Sequence, residues 1–255
     1  MLQRLENTRH LTHPLSPIPA SGKRYALPPA FVDGLSFLRP LVKPKGRWSD
    51  TNVNLLGGKL YLLTNLLIVE YDAGSLELPN WWFSPDAISI LRAFGTAPCD
   101  ARVDGSTLHF CWADGQECLV HLRHPMFPGS THLRMVDEAF SRFWRFDQGT
   151  VVTDGTRREL RKHFGEKLNL PDIFIDGQTV AGWLGANGGQ HCFPLPTNAS
   201  RVMRFDRKAF LDMIRVADEI DFSVSPVCFR HARGRGLLVE RTATMVQPHM
   251  DLSDE

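Results

Sequence analysis

Two groups of residues in this 255-residue chain have types and spacing that could do chemistry. The first is a set of histidines: His121, His124 and His132. Converging imidazoles can hold a metal or move a proton. A metal site, however, needs ligands at recurring spacing and a second shell that fixes each ring. His121 falls in an expected strand and His124 precedes a proline, so the pair does not form a ligand motif. Structural histidines are the simpler expectation. The second group is the run "RRELRK", Arg157–Lys162. There Arg157 and Arg161, and Arg158 and Lys162, stack at i,i+4, where like charges weaken a helix. Such a run is either a solvated face or a seat for an anion. An α+β enzyme or another nucleic-acid-binding protein, with its site near His121, His124 and His132 or on the basic helix 157–162, therefore stands as one functional alternative.

Other reactive groups show no pattern. Cys99, Cys111, Cys118, Cys192 and Cys228 are odd in number, and no two have CxxC spacing. They read as reduced thiols of a cytoplasmic protein. No nucleophile elbow occurs, and the glycine-rich words "HARGRG" and "GANGGQ" do not match a phosphate-binding loop. The expectation is a protein without catalytic residues, metal or cofactor. Net charge is +1, so any nucleic-acid surface must be a local patch balanced by acid elsewhere. No apolar run reaches the ~18 residues of a membrane span. The first residues lack a signal-peptide core, and 1–22 reads as a loosely ordered leader.

The elements that must position these groups are duplicated at an offset of about 120 residues. "VDG" at Val32–Gly34 faces "TDG" at Thr153–Gly155, and "VNLLGG" from Val53 faces "IFIDGQ" from Ile173. Phe83 and Ala87 face Phe205 and Ala209, and "FCWADGQECLVHL" from Phe110 faces "FRHARGRGLLVER" from Phe229. Each copy reads as helix, three strands, strand, helix, three strands. In the first helix Phe31, Leu35, Leu38 and Val42 share a face, with Pro40 as a possible early stop. "SLELPNWW" and "DFSVS" are expected strands. Ser84-Pro85-Asp86 is a strong helix start, and Asp206 caps the equivalent helix of copy two. The expected class is α+β, two tandem domains each with two helices on antiparallel sheet. Domain 1 spans 23–122, a connector 123–149, domain 2 150–246 and an acidic tail 247–255.

The order of elements, the two-helix domains and their tandem duplication resemble the DNA sliding clamps, the replicative processivity factors. This family includes the bacterial β clamp and the proliferating cell nuclear antigen, and the present chain is most similar to a two-domain, phage-like member. The words carrying the resemblance are "LELPNWWFSPDAISILRAF", "SRVMRFDRKAFLDMIRVA" and "ARVDGSTLHFCWADGQECLVHL". The resemblance implies a ring of six domains around duplex DNA, hence a homotrimer of two-domain chains. It also implies edge-strand contacts between subunits and helices lining the hole. Polymerase and clamp loader would be the protein partners.

A lining helix should offer cations to phosphate. Arg39 lies on the first helix and Lys43 follows it, Arg92 lies on the second, and Arg157, Arg158, Arg161 and Lys162 lie on the third. Arg207, Lys208 and Arg215 lie on the fourth. The family's partner pocket lies beside the connector, which places Met126, Phe127, Leu133 and Met135 at its edge, with Val246 and Pro248 flanking it. The alternative for the connector is that "VDEAFSRFW" forms an amphipathic helix packed on its own domain.

Overall fold

The computed structural model describes residues 23–105, 107–121, 130–165, 170–183 and 190–241. The expected leader and acidic tail, His124, and the pocket residues Met126, Phe127, Val246 and Pro248 lie outside these residues. So does the Asn187–Gly189 turn.

Domain 1 begins with β1 (Arg24–Ala26) and α1 (Ala30–Leu38), which tightens into a 3-10 turn at Arg39–Leu41. The short α2 (Trp48–Thr51) leads to β2 (Val53–Leu56), β3 (Lys59–Leu63) and β4 (Leu67–Tyr71). The second half repeats the plan with β5 (Trp81–Phe83), α3 (Pro85–Ala93), β6 (Asp100–Asp104), β7 (Thr107–Cys111) and β8 (Glu117–His121). The connector contains α4 (Ser130–Phe143). Domain 2 follows as β9 (Thr150–Val151), α5 (Asp154–Phe164), β10 (Asp172–Ile175), β11 (Thr179–Trp183) and β12 (Gln190–Pro194). It is completed by β13 (Met203–Asp206), α6 (Arg207–Val216), β14 (Glu219–Asp221), β15 (Val227–His231) and β16 (Gly234–Leu238). The α+β class and the two tandem domains are thus as expected from the sequence.

Local chemistry explains the helix starts. The Ser84 hydroxyl accepts the Ala87 N–H at 3.2 Å, and the Asp206 carboxylate accepts the Ala209 N–H at 2.9 Å. Each satisfies a donor that the first helical turn leaves without a partner. Pro40 stops α1 early, so Val42 is outside the helix and extended. Two expected strands shrink. "SLELPNWW" forms a strand only from Trp81, and "DFSVS" only through Asp221, where a turn at Phe222–Ser223 follows. The "VDG"/"TDG" match is a coincidence of letters. Gly34 lies in the middle of α1, where an added Cβ would come within 2.5 Å of the Tyr71 ring. Gly155 instead lies in the first turn of α5, behind the Thr153 cap.

Within each domain the halves exchange strands. One sheet of domain 1 runs β1-β6-β7-β8, and one of domain 2 runs β12-β11-β10-β13. The remaining strands of both domains join in a single eight-stranded sheet, β5-β2-β3-β4-β16-β15-β14-β9. The domain boundary in this sheet is the antiparallel pair β4–β16, with Leu67 opposite Leu238 and Tyr71 opposite Gly234. One face of the sheet carries the main core, including Leu60, Leu62, Val69, Phe229 and Leu238. The other face carries a second cluster built from Leu56, Tyr61, Cys228 and Leu237 against Val136 and Phe140 of α4. This alternation is the period of two expected of strands covered on both sides. The connector helix expected from "VDEAFSRFW" therefore exists and closes the outer face of the boundary.

Two glycines make the boundary pair possible. A Cβ at Gly236 would sit 2.0 Å from the Phe229 ring and 2.5 Å from the Ile68 carbonyl oxygen. At Gly234 it would sit 2.2 Å from the Glu70 carbonyl oxygen. We predict that Gly236→Ala lowers stability by roughly 1–3 kcal/mol or more through overpacking. Gly155→Ala, whose Cβ meets nothing closer than 3.6 Å, should instead be neutral or stabilising. Urea unfolding of both variants checks the contrast. Equal losses would contradict it.

Candidate functional site

The helices on the main-core face form a row. α1 packs on α3 and α5 on α6, and α1 and α6 meet at the domain boundary. Each neighbouring pair is joined by an arginine that donates to a backbone carbonyl. Arg39 at the end of α1 donates to the Pro85 oxygen of α3 at 3.3 Å. Arg215 of α6 donates to Pro40, just after α1, at 3.2 Å. Arg207 of α6 donates to Phe164 of α5 at 3.1 Å. In the other direction, Arg157 of α5 donates to Ala217, just after α6, at 2.6 Å. Those to Phe164, Ala217 and Pro40 use carbonyls that the C-terminal ends of helices leave open, whereas the Pro85 carbonyl at the start of α3 is shared with the Ser89 hydroxyl; together they fix the row as α3, α1, α6, α5.

A carbonyl partner does not cancel charge, so the ten expected cations divide by their acids. Arg157 is neutralised by Asp154 and Asp218, both at 2.6 Å. Lys208 pairs with Asp212 at 2.7 Å and Lys43 with Asp50 at 3.7 Å. Lys162 has only a 3.7 Å contact with Glu159 and remains 74% exposed. Arg92, Arg158 and Arg161 are exposed and have no hydrogen bond or ion pair among the described residues. Arg39, Arg207 and Arg215 keep a net charge beside their carbonyls, with no carboxylate in ion-pair contact among the described residues. The row thus carries six cations without a close acid, densest on α5 and α6. Arg157, which the sequence places in the cluster, is a structural tie.

At the domain boundary the polar chemistry centres on Glu70, which is 5% exposed in β4. Its carboxylate accepts from Lys59 at 3.1 Å, from the Tyr61 hydroxyl at 3.1 Å and from Arg235 of β16 at 3.2 Å. Burial, reinforced by the Glu70 charge, pushes the Tyr61 hydroxyl well above its ordinary pKa, so it stays a donor. Arg235 also lies over the rings of Phe140, at 4.4 Å, and Trp144, at 5.3 Å, which pins α4 to the sheet. Arg230 lies 4.0 Å from the Phe146 ring centre and holds the chain leaving α4. Beside Trp144 an open groove of about 780 Å³ is lined by Lys59, Glu70, Asp72, Arg230 and Arg233 among others. Sequence reading missed this centre. Its signal was a lone acid inside the apolar run "LLIVEY", since a buried carboxylate must have partners.

The expected pocket residues divide. Leu133 packs inward over Gly57, 3.1 Å from where a Cβ would stand, whereas Met135 is 61% exposed on α4. They do not face the same way. Of the histidines, His132 sits edge-on to Trp82, with ring centres 6.1 Å apart. The side chain of His121 lies outside the described residues.

No family model and no curated protein matches the sequence. Solved structures do match. The Helicobacter pylori beta clamp bound to a DNA ligase peptide superposes with a TM-score of 0.63 at 9% identity, over 91% of this chain and 69% of the other. The DNA polymerase sliding clamp of Bacillus subtilis gives 0.63 at 13%, over 91% and 67%. The sliding clamp (DNA polymerase III subunit beta) of Bartonella birtlesii, bound to griselimycin, gives 0.64 at 12%, over 92% and 70%. The chain therefore has the sliding-clamp fold, as the sequence resemblance implied.

The boundary makes a pH prediction. His231 of β15 bonds the Glu70 carbonyl through Nε2 at 2.8 Å, and its ring lies tilted against Phe37 of α1 with centres 4.8 Å apart. Burial holds its pKa below the ordinary 6.5, against smaller opposing contributions from Glu70 and Asp218. The unfolded chain then binds the proton more readily, so stability is full above pH 6.5 and is lost as pH falls through the depressed value. Denaturation midpoints should fall on acidification from pH 7 to 5, and the fall should be smaller in His231→Gln. An identical pH dependence in both proteins would exclude His231 as the cause.

Proposed function

We propose that this chain is a DNA sliding clamp. Copies close into a ring around duplex DNA and tether a polymerase to it. The observation that supports this best is the row of four helices bearing six cations without a close acid, laid on a sheet that runs unbroken across the domain boundary. Contacts from such a row reach phosphates and carry no base sequence, which is what sliding demands.

Ring closure is supported by the strand edges. β4 closes the first half of domain 1 and β16 the second half of domain 2, and these two pair within the chain. Their counterparts are β12, which closes the first half of domain 2, and β8, which closes the second half of domain 1. Among the described residues each pairs on one side only. β12 of one copy with β8 of the next repeats the boundary contact head to tail. Such a heterologous contact makes a ring where its rotation closes. Three chains supply six domains, and the coverage of about two thirds of the bacterial chains fits two domains against three.

On this reading the protein acts without catalysis or cofactor, in the cytoplasm where the DNA is copied. Among the described residues no helix is long and apolar enough to cross a membrane. A polymerase or loader peptide, like the ligase peptide on the Helicobacter pylori clamp, would meet the outer face beside α4. There Met135 is exposed and Leu133 supports the turn beneath, with Met126, Phe127, Val246 and Pro248 as further pocket residues.

The DNA claim is tested by the Arg158→Glu, Arg161→Glu, Lys162→Glu triple variant. All three side chains are exposed on α5, so the fold should survive. Retention on circular duplex DNA and processive synthesis should both drop. The salt dependence of DNA affinity should flatten by about 0.9 in log–log slope for each phosphate that the variant no longer neutralises. Unchanged affinity and slope in a folded variant would remove the lining-helix assignment.

A further inference from the structure

Away from the helix row, the sheet β1-β6-β7-β8 carries a cluster that the clamp reading does not use. On β7, His109 and Cys111 alternate with Phe110, which points into the main core, so both face the opposite side of the sheet. Glu117 of β8 lies directly across from Cys111. The ligating atoms of these three residues all lie within 4.8 Å of one another. His109 is 3% exposed, and its Nε2 has no hydrogen-bond partner. The Glu117 carboxylate stands 3.6 Å away, too long for a hydrogen bond. A buried imidazole nitrogen aimed at a carboxylate and a thiol, and bonded to neither, lacks the compensation that its burial demands.

We propose that His109, Cys111 and Glu117 form a binding site for a divalent zinc-type cation. Two ligand bonds of about 2.0–2.1 Å at a tetrahedral angle hold their donor atoms about 3.4 Å apart, close to the observed His109–Glu117 separation. One imidazole, one thiolate and one carboxylate form a mixed set that favours Zn2+ over the oxygen-loving Mg2+ and Ca2+. Asp100 of β6 lies directly opposite Cys111 in the sheet, where a carboxylate is placed to serve as the kind of outer partner that orients a ligand. Binding replaces the thiol proton with the metal and releases that proton to solvent. The three donors leave a fourth position, reached past Glu117, whose side chain is 41% exposed. The site bridges β7 and β8, so the cation staples the hairpin that ends in the free edge of domain 1.

The test uses the reduced full-length chain, freed of any affinity tag, and Co2+ as a spectroscopic probe. One equivalent should bind with a thiolate-to-cobalt charge-transfer band, and Zn2+ should displace it. Cys111→Ser should abolish the band, whereas Cys99→Ser and Cys192→Ser, at exposed thiols, should keep it. Glu117→Gln, at a half-exposed position that the fold tolerates, should weaken Co2+ binding by roughly tenfold or more. Absence of the band, or its persistence in Cys111→Ser, overturns the site. The same holds if affinity is unchanged in Glu117→Gln. None of these readouts depends on ring assembly or on DNA, so the site and the clamp reading stand or fall separately.

Discussion

The structure depends on two strands from different domains approaching to ladder distance across β4 and β16. Main-chain pairing there requires bare backbone at Gly234 and Gly236, because a side chain at either would strike the Glu70 or Ile68 carbonyl. Once the strands meet, the sheet has no domain boundary in its hydrogen bonding. Both of its faces must then be covered across the join. Phe37 of α1 reaches His231 on one side, and α4 lies over Leu237 and Cys228 on the other. The Glu70 carboxylate is buried at this point because Lys59, Tyr61 and Arg235 compensate it there.

The same constraint gives the cations their two roles. With the sheet continuous, the four helices must sit in one row, and each junction in that row presents backbone carbonyls to the neighbouring helix. Arg39, Arg157, Arg207 and Arg215 bond them. Guanidinium suits this role because it can donate to a carbonyl with some N–H groups and still offer others to a phosphate. Arg92, Arg158 and Arg161 have no such duty and stand free among the described residues. The row is therefore held together by part of the charge that it displays, and of these four arginines only Arg157 is paired with acids among the described residues.

How much of this was legible depended on the range of each interaction. Caps act within one turn, so Ser84 and Asp206 were readable as helix starts, and Pro40 as a stop. Strand alternation and the duplication were readable because they repeat in order. The β4–β16 pairing was not, since residues 67–71 and 234–238 are far apart in sequence and neither run names its partner. "HARGRG" forms the β15–β16 hairpin, yet nothing in its glycines names the neighbouring domain. The cations were legible as types but not as destinations. Arg157 and Arg158 are adjacent letters, yet one turns to Asp218 and the other to solvent. The pairing of His109 and Cys111 with Glu117 was hidden likewise, because it exists only once the β7–β8 register is set.

The central claim is that the edges of β8 and β12, which pair on one side only among the described residues, repeat the β4–β16 contact between copies. Electron microscopy of the purified chain, with its mass in solution measured in parallel, tests this most directly. The account predicts particles of three times 28.8 kDa that image as a closed ring with a central hole. A stable monomer at high protein concentration, or an assembly with no hole, would contradict it.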